Sequence, residues 1–421
     1  MYRKNKKIFI SIASYRDPQL QSSILDCITK SKFPRNLSFG ICWQKDQYEN
    51  IDKIKNLPNI KIYDVDWRES KGACWSRSII QKELYSNEDL YLQLDSHHRF
   101  IDNWDEKLIN LLEESFTTNS KSIIGSYANS YRREHPISYT NKPCKINTFD
   151  SFTEEGDLVS KPVIFNSDEL YKNANLIFAR FLSGHFMFCD AQFIFDCPYD
   201  PNLYFRGEEL ALSARAYSHG YDFFHPKESI IFHEYSRPLD HKHWNDHKKH
   251  NGIVTESSKL DSKSKSRQRQ LFYMDDRVIN FKQYDFGKAR SLHDFEKYAG
   301  IDFKNQRVHK FCYNIRNDSP EPYVMSDDEW RNGLMTKYEK TIEWDLSKIP
   351  DYNDYDFWFF GFETNKGKLL YRKDWKNNTS IFNKSVNKKT IKFCCESSPD
   401  YAVIIPHSKS KGWCKRIVIE C

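Results

Sequence analysis

Over its first 125 residues the chain alternates two hydrophobic rhythms. KIFISIASY (7–15), LSFGICWQ (37–44), IKIYDVDW (60–67) and LYLQLD (90–95) carry the short apolar or period-two runs expected of strands. DPQLQSSILDCITKS (17–31) lies between the first two, with Pro18 in a first helical turn and apolar residues at helical spacing. A helix-like stretch ends near Leu57-Pro58, and CWSRSIIQKELYS (74–86) predicts another helix. This βαβαβαβ order predicts a largely parallel sheet with right-handed crossovers, whose ligands bind outside the carboxyl ends of the strands. The rhythm resumes with strands at KSIIGSYA (121–128), FLSGHFMFCD (181–190) and ESIIFHEYSR (228–237), around a helix-like YFRGEELALSARAYSHGY (204–221). A Pro- and polar-rich interval from Arg132 to Asp168 interrupts it.

From Pro238 to about Gln270 the residues are mostly His, Lys, Asp and Ser, which predicts a mobile loop or lid. Its HKHWNDHKKH run, with four His, reads as solvated loop or as metal-binding tract. A helix around ARSLHDFEKYAGI closes a first α/β domain, 1–305. Beyond it, short aromatic and β-branched runs such as YDFWFFGFET and YAVIIPHS predict a smaller all-β, sandwich-like domain, 306–421.

Composition narrows the setting. The 421 residues carry 64 Lys and Arg against 58 Asp and Glu, a net +6 with the signs interleaved, which argues against a nucleic-acid partner. No apolar run approaches the roughly 20 residues that cross a bilayer. The basic start MYRKNKK is followed by an apolar run too short for a secretory signal. The Lys-rich arm leaves room for peripheral contact with an anionic membrane surface. Eleven Cys without paired spacing, two of them adjacent at Cys394-Cys395, read as reduced thiols and a cytoplasmic location, with the inner face of a membrane as a further option.

Candidate chemistry gathers where strands end. In LYLQLDSHHRF (90–100) residues two apart share a side, so Asp95 and His97 project together while Ser96 points away. One carboxylate and one imidazole make half of a divalent metal site, and His233, at the end of ESIIF, is the best-placed third ligand. Mixed oxygen and nitrogen ligation with open positions suits Mn²⁺ or Mg²⁺ bridging a diphosphate. On Asp-x-His alone, ordinary polar residues at a strand end explain the pattern as well. Ser14-Tyr15-Arg16 and Asp64-Val65-Asp66-Trp67 end two further strands on the same rim.

SIASYRDPQL, WRESKGACWSRS, LQLDSHHRF followed by Trp104-Asp105, SGHFMF and FRGEEL together resemble the cytoplasmic polypeptide α-N-acetylglucosaminyltransferases. Eukaryotic members of that family attach GlcNAc to a hydroxyproline of a ubiquitin-ligase adaptor, and it has bacterial and viral relatives. The resemblance spans roughly the first 300 residues. More distantly the chain is similar to the mucin-type polypeptide N-acetylgalactosaminyltransferases. Both imply a GT-A fold, a UDP-sugar donor, a Mn²⁺-type metal and retention of configuration.

Carried over by motif, the resemblance implies metal ligation by Asp95, His97 and His233. It implies nucleotide contacts from Ser14, Tyr15, Arg16, Asp66, Arg77 and Ser96, and a loop beneath the donor sugar at Gly184-His185. It also implies an acidic pair, Glu208 and Glu209, that reaches sugar hydroxyls or acceptor. His98 departs from the family's usual neighbour to the metal motif.

Each position has a plainer reading. Arg77 can pair with Glu83 on its own helix, Gly184 can serve a tight turn, and Glu209 can complement a helix dipole. Trp67, Trp75 and Trp104 can be core. Trp344, Trp358, Trp375 and Trp413 suit either a sandwich core or a glycan platform. The expected activity is metal-dependent retaining transfer of a sugar, GlcNAc first, from UDP to a hydroxyl of a glycan, lipid-linked glycan or protein. The alternatives are a metal-dependent nucleotide-sugar hydrolase and a catalytically inactive sugar-binding protein.

Overall fold

The computed structural model describes residues 6–133, 145–153, 157–164, 174–248, 252–313, 325–350, 354–376 and 387–421. The chain divides into two compact units, 1–149 with 160–299 and 315–324, and 150–159 with 300–314 and 325–421.

The first unit alternates β1 (Ile8–Tyr15), α1 (Leu20–Lys30), β2 (Leu37–Lys45), β3 (Ile60–Asp66), α2 (Ala73–Ile79), β4 (Leu90–Asp95), β5 (His98–Phe100), α3 (Trp104–Ser115), β6 (Ser122–Gly125) and β7 (Asn129–Ser130). After β8 (Lys145–Phe152) and β9 (Leu158–Ile164) it continues with β10 (Leu176–Phe178), β11 (Phe186–Asp190), α4 (Phe193–Asp196), α5 (Glu208–Ser218), β12 (Asp222–Pro226), β13 (Ile231–His233), α6 (His243–Asp246), α7 (Ser257–Leu271) and α8 (Leu292–Ala299). Eight strands form one sheet in the order β10-β12-β6-β11-β4-β1-β2-β3. β1 lies parallel to both β2 and β4, β3 is parallel to β2, and β11 runs antiparallel beside β4. The expected α/β class and mostly parallel sheet are what forms.

Alternation within the strands builds the core. Ile8, Ile10 and Ile12 of β1 and Leu90, Leu92 and Leu94 of β4 are buried with Ile24 and Cys27 of α1. Trp104 completes this layer, fully buried, its indole N–H donating to the Cys27 carbonyl at 2.8 Å. A second sheet, β5-β13-β7, sits at the carboxyl end of β4 and pairs His98 directly with His233. Pairing of strands more than a hundred residues apart thus delivers the distant histidine to the Asp-x-His end.

The segment from 238 to 270 departs from expectation. Its described residues form α6 and α7 instead of an irregular loop, and α6 is fastened by His243 at its start and His247 just past its end. His243 Nδ1 meets the Tyr204 hydroxyl at 2.6 Å, and His247 Nε2 donates to the Trp67 carbonyl at 2.9 Å. Both rings are buried and stack at 3.8 Å, so a polar composition conceals interior residues. His250 lies outside the described residues. Among the described residues no helix is long and apolar enough to cross a membrane.

The second unit is β-rich. After α9 (Asp327–Gly333), strands 336–343 and 388–395 pair with each other, and 355–363 and 401–408 lie within a six-stranded sheet. Trp344, Trp358 and Trp375 are buried in its core, whereas Trp413 is 57% exposed. RVHKFCYNIR (307–316) reads as a strand, but its described residues provide the two-residue strand Arg307–Val308 and then a helical turn.

Candidate active site

The loops at the carboxyl ends of β1 to β4 hold two adjoining arrangements. The first is a corner at the end of β4. Asp95 Oδ2 lies 3.2 Å from His233 Nε2 and 3.9 Å from His97 Nε2. Among the described residues, these three bring one ligand atom each to within 4.8 Å of one another. His97 Nε2 is buried and has no hydrogen-bond partner there, although its other nitrogen, Nδ1, meets Asp17 Oδ2 at 2.7 Å. Burial holds His233 down to about 4, against the pull of Asp95, so its imidazole is neutral at physiological pH with a lone pair to give. Burial works against ionisation of Asp95, but the His233 hydrogen bond and the charge of Arg77 keep its carboxyl well below the usual range. Two imidazoles facing one carboxylate, with an orphaned buried nitrogen among them, fit a divalent cation.

Arg77 lies under this corner, only 3% exposed. Its Nη2 donates to Asp95 Oδ1 at 2.8 Å and its Nη1 to Glu208, which also accepts from the Tyr199 hydroxyl at 2.9 Å. Glu83, the helical alternative, pairs with Lys82 instead. Gly184 packs close to this pair: a Cβ there would sit 3.0 Å from both Arg77 Nη1 and Glu208 Oε1, which would have to give by a few tenths of an ångström. Its carbonyl accepts from Gln93 of β4 at 2.5 Å, and its N–H donates to Glu209 at 2.7 Å.

Glu208 and Glu209 begin α5, yet their surroundings differ. Glu208 is buried against Arg77 and Tyr199. Glu209 is half-buried, and burial beside the Glu208 carboxylate pushes its carboxyl up to about 7 despite the bond from Gly184. His185 accepts from the Ala128 N–H at 3.1 Å through Nε2, and its Nδ1 lies 2.9 Å from Ser183 Oγ, which donates to Glu209 at 3.3 Å. Tyr127 and Tyr235 stack at 5.1 Å with their planes 2° apart, each edge-on to His185. His98 is fully buried among His97, His185 and His233, with neither ring nitrogen bonded among the described residues.

The second arrangement is a cleft of about 470 Å³ beyond β1, β2 and β3, lined by Arg16, Lys45, Asp46, Gln47, Tyr48, Asp66, Trp67 and Arg68. The Arg16 guanidinium lies 4.6 Å over the Trp67 ring and bridges Asp46 at 2.7 Å and Asp246 of α6 at 2.9 Å. Tyr15 donates to the same Asp246 at 3.1 Å. Asp66 is paired with Arg68 at 2.5 Å.

Of the residues singled out in the sequence, Asp95, His97, His233, Arg77, Gly184, His185, Glu208 and Glu209 come together in the corner. Arg16, Asp66 and Trp67 line the cleft. Ser14 is fully buried, its hydroxyl unbonded among the described residues, and the buried Ser96 donates to Asp17 at 2.7 Å. In the 238–270 segment Arg267 is held by Asp200 and Arg269 by Asp275. Asp17, Tyr199, Tyr127 and Tyr235 carry no spacing signal in the sequence; the fold alone brings them in.

A family model described as glycosyltransferase (GlcNAc) matches residues 7–57 and 50–305. No curated protein matches the chain. A crystal structure of GalNAc-T7 with UDP, GalNAc and Mn²⁺ is similar at 12% identity and a TM-score of 0.47, covering 99% of this chain and 72% of that one. S. aureus TarS 1–349 in complex with UDP-GlcNAc is similar at 13% identity and a TM-score of 0.36, covering 56% of this chain and 60% of that one. At such TM-scores the assignment rests on the family match, which takes in well over half the chain and the whole of both arrangements. The chain belongs to the glycosyltransferase (GlcNAc) family.

Proposed function

We propose that this glycosyltransferase is metal-dependent and retaining, and that it moves a sugar, GlcNAc by preference, from UDP to a hydroxyl of a glycan or protein acceptor. The observation that carries the reading is the convergence of Asp95, His97 and His233 at the strand ends. Within the family, the SYRDPQL, DSHH and RGEEL motifs favour kinship with the cytoplasmic polypeptide α-N-acetylglucosaminyltransferases.

Cleaving a sugar from UDP leaves negative charge on the β-phosphate. Mn²⁺ or Mg²⁺ held by Asp95, His97 and His233 would supply Lewis-acid stabilisation of that charge. Arg77 keeps Asp95 ionised and aimed, and the buried Glu208 keeps Arg77 in place. The cleft bounded by Arg16, Asp66 and Trp67 suits a planar base and ribose beside the diphosphate. Glu209, with one oxygen fixed by Gly184, orients hydroxyls of the sugar or acceptor. No carboxylate here stands out as a nucleophile. Front-face attack, with the departing phosphate taking the acceptor proton, therefore accounts for retention.

Screening UDP-sugars with and without Mn²⁺, with and without glycan and hydroxylated peptide acceptors, tests this reading. Mn²⁺-dependent transfer with the α anomer retained by NMR is expected. Turnover to free sugar that exceeds transfer with every acceptor would favour a hydrolase, and an inverted anomer would contradict the front-face path.

A further inference from the structure

We propose that Asp17 is a positioning residue for the cation site, fixing the His97 ring so that Nε2 faces Asp95. The inference rests on reading Asp95, His97 and His233 as metal ligands. Asp17 lies two residues beyond β1, 5% exposed, and every contact it makes holds it still. Its Oδ1 accepts the Gln19 N–H at 2.8 Å. Its Oδ2 accepts from Ser96 Oγ at 2.7 Å, from Arg237 Nη1 at 2.9 Å and from His97 Nδ1 at 2.7 Å. The donors come from the end of β4 and from the chain after β13, so Asp17 joins three strand ends beneath one ligand.

The chemistry follows from the inventory of protons. An ionised carboxylate only accepts, so the proton of the Asp17 bond sits on His97 Nδ1, which leaves Nε2 as the nitrogen through which the ring can ligate. That Nε2 is the buried nitrogen without a partner, 3.9 Å from Asp95 Oδ2 and outside hydrogen-bond reach of it. A histidine held at one nitrogen and open at the other is pre-set for a cation, and loss of such a support typically costs about 10- to 100-fold in metal affinity. A purely structural Asp17 would serve only as counter-ion to Arg237.

Charge alone and positioning predict opposite results at Arg237. Removing a positive charge close to a cation site tightens cation binding by Coulomb's law, whereas releasing Asp17 loosens His97 and weakens it. Mn²⁺ titrations followed by EPR on the full chain, for wild type, Asp17→Asn, Arg237→Gln and Asp95→Asn, decide between them. Positioning predicts that Asp17→Asn weakens Mn²⁺ by about 10- to 100-fold and that excess Mn²⁺ restores its turnover. It also predicts that Arg237→Gln weakens Mn²⁺, an arm that stands alone if Asp17→Asn does not fold. Wild-type affinity in Asp17→Asn, or tighter binding in Arg237→Gln, overturns the inference while leaving the metal reading intact. Wild type and Asp95→Asn binding Mn²⁺ alike would instead overturn the metal reading, and the inference with it.

Discussion

At the end of β4, His97 Nε2, His233 Nδ1 and both nitrogens of His98 are buried without hydrogen-bond partners among the described residues. In the neighbouring cleft the charged groups answer one another, Arg16 with Asp46 and Asp246, and Asp66 with Arg68. Leaving a buried polar atom unbonded costs about 1–3 kcal/mol, so folded chains keep few of them. The pairs of Arg16 are largely buried yet fully matched, and the exposed Asp66–Arg68 pair exchanges at little cost. A cation entering the corner therefore meets an unbonded His97 Nε2 and replaces only the contact between Asp95 and His233, while a nucleotide entering the cleft displaces several ion pairs already made. The corner should supply binding strength and rate, and the cleft selectivity among donors.

Breaking the corner gives the largest effect. Asp95→Asn keeps the shape but loses the carboxylate, and sugar transfer should fall on the order of a thousandfold with loss of Mn²⁺ binding, read by initial rates and EPR. Arg77→Leu leaves Glu208 and Asp95 without their shared buried counter-ion. It should cost about 3–5 kcal/mol in urea unfolding, whereas a stability change near zero would mean that the network is not buried as described.

Glu209 sharpens the comparison through pH. Its carboxyl, raised to about 7 by burial, accepts hydroxyl hydrogen bonds on both oxygens and at full strength only when ionised. Transfer should therefore rise with pH through about 7 and level off above it, and Glu209→Gln should be slower and lack that limb. A wild-type profile already flat from pH 6 to 8 would remove Glu209 from this role. At the cleft, Trp67→Ala should weaken UDP binding by about tenfold through lost stacking, with Mn²⁺ affinity unchanged by EPR. Asp66→Asn should have the smallest effect, leaving the melting temperature unmoved and shifting only the preference among nucleotide bases.

How much of this was legible in the sequence depends on the distance over which each contact is made. Strands β1 to β4 announce themselves because local alternation decides them, and their shared rim follows from parallel crossovers. Asp95 and His97 are two residues apart, and the DSHH motif with its family resemblance pointed on to His233. Asp17 was invisible because its partner lies 80 residues away and nothing in Arg-Asp-Pro marks the carboxylate as a support. Arg77 could be picked out, but its pairing with Glu208, 131 residues on, could not. The reading of 238–270 as loop failed for another reason. Its helix is secured by imidazoles reaching the Trp67 carbonyl and the Tyr204 hydroxyl, and a hydropathy pattern is blind to such bonds. In the second unit, alternation picked out strands such as 355–363 and 401–408 but misread RVHKFCYNIR, and it could not separate the three core tryptophans from the exposed Trp413.

Anomalous diffraction from crystals soaked with Mn²⁺ and UDP tests the central claim most directly. The account predicts one strong manganese peak bounded by Asp95 Oδ2, His97 Nε2 and His233 Nε2, with the diphosphate completing its coordination. Manganese bound elsewhere, or UDP seated with that corner empty, would contradict it.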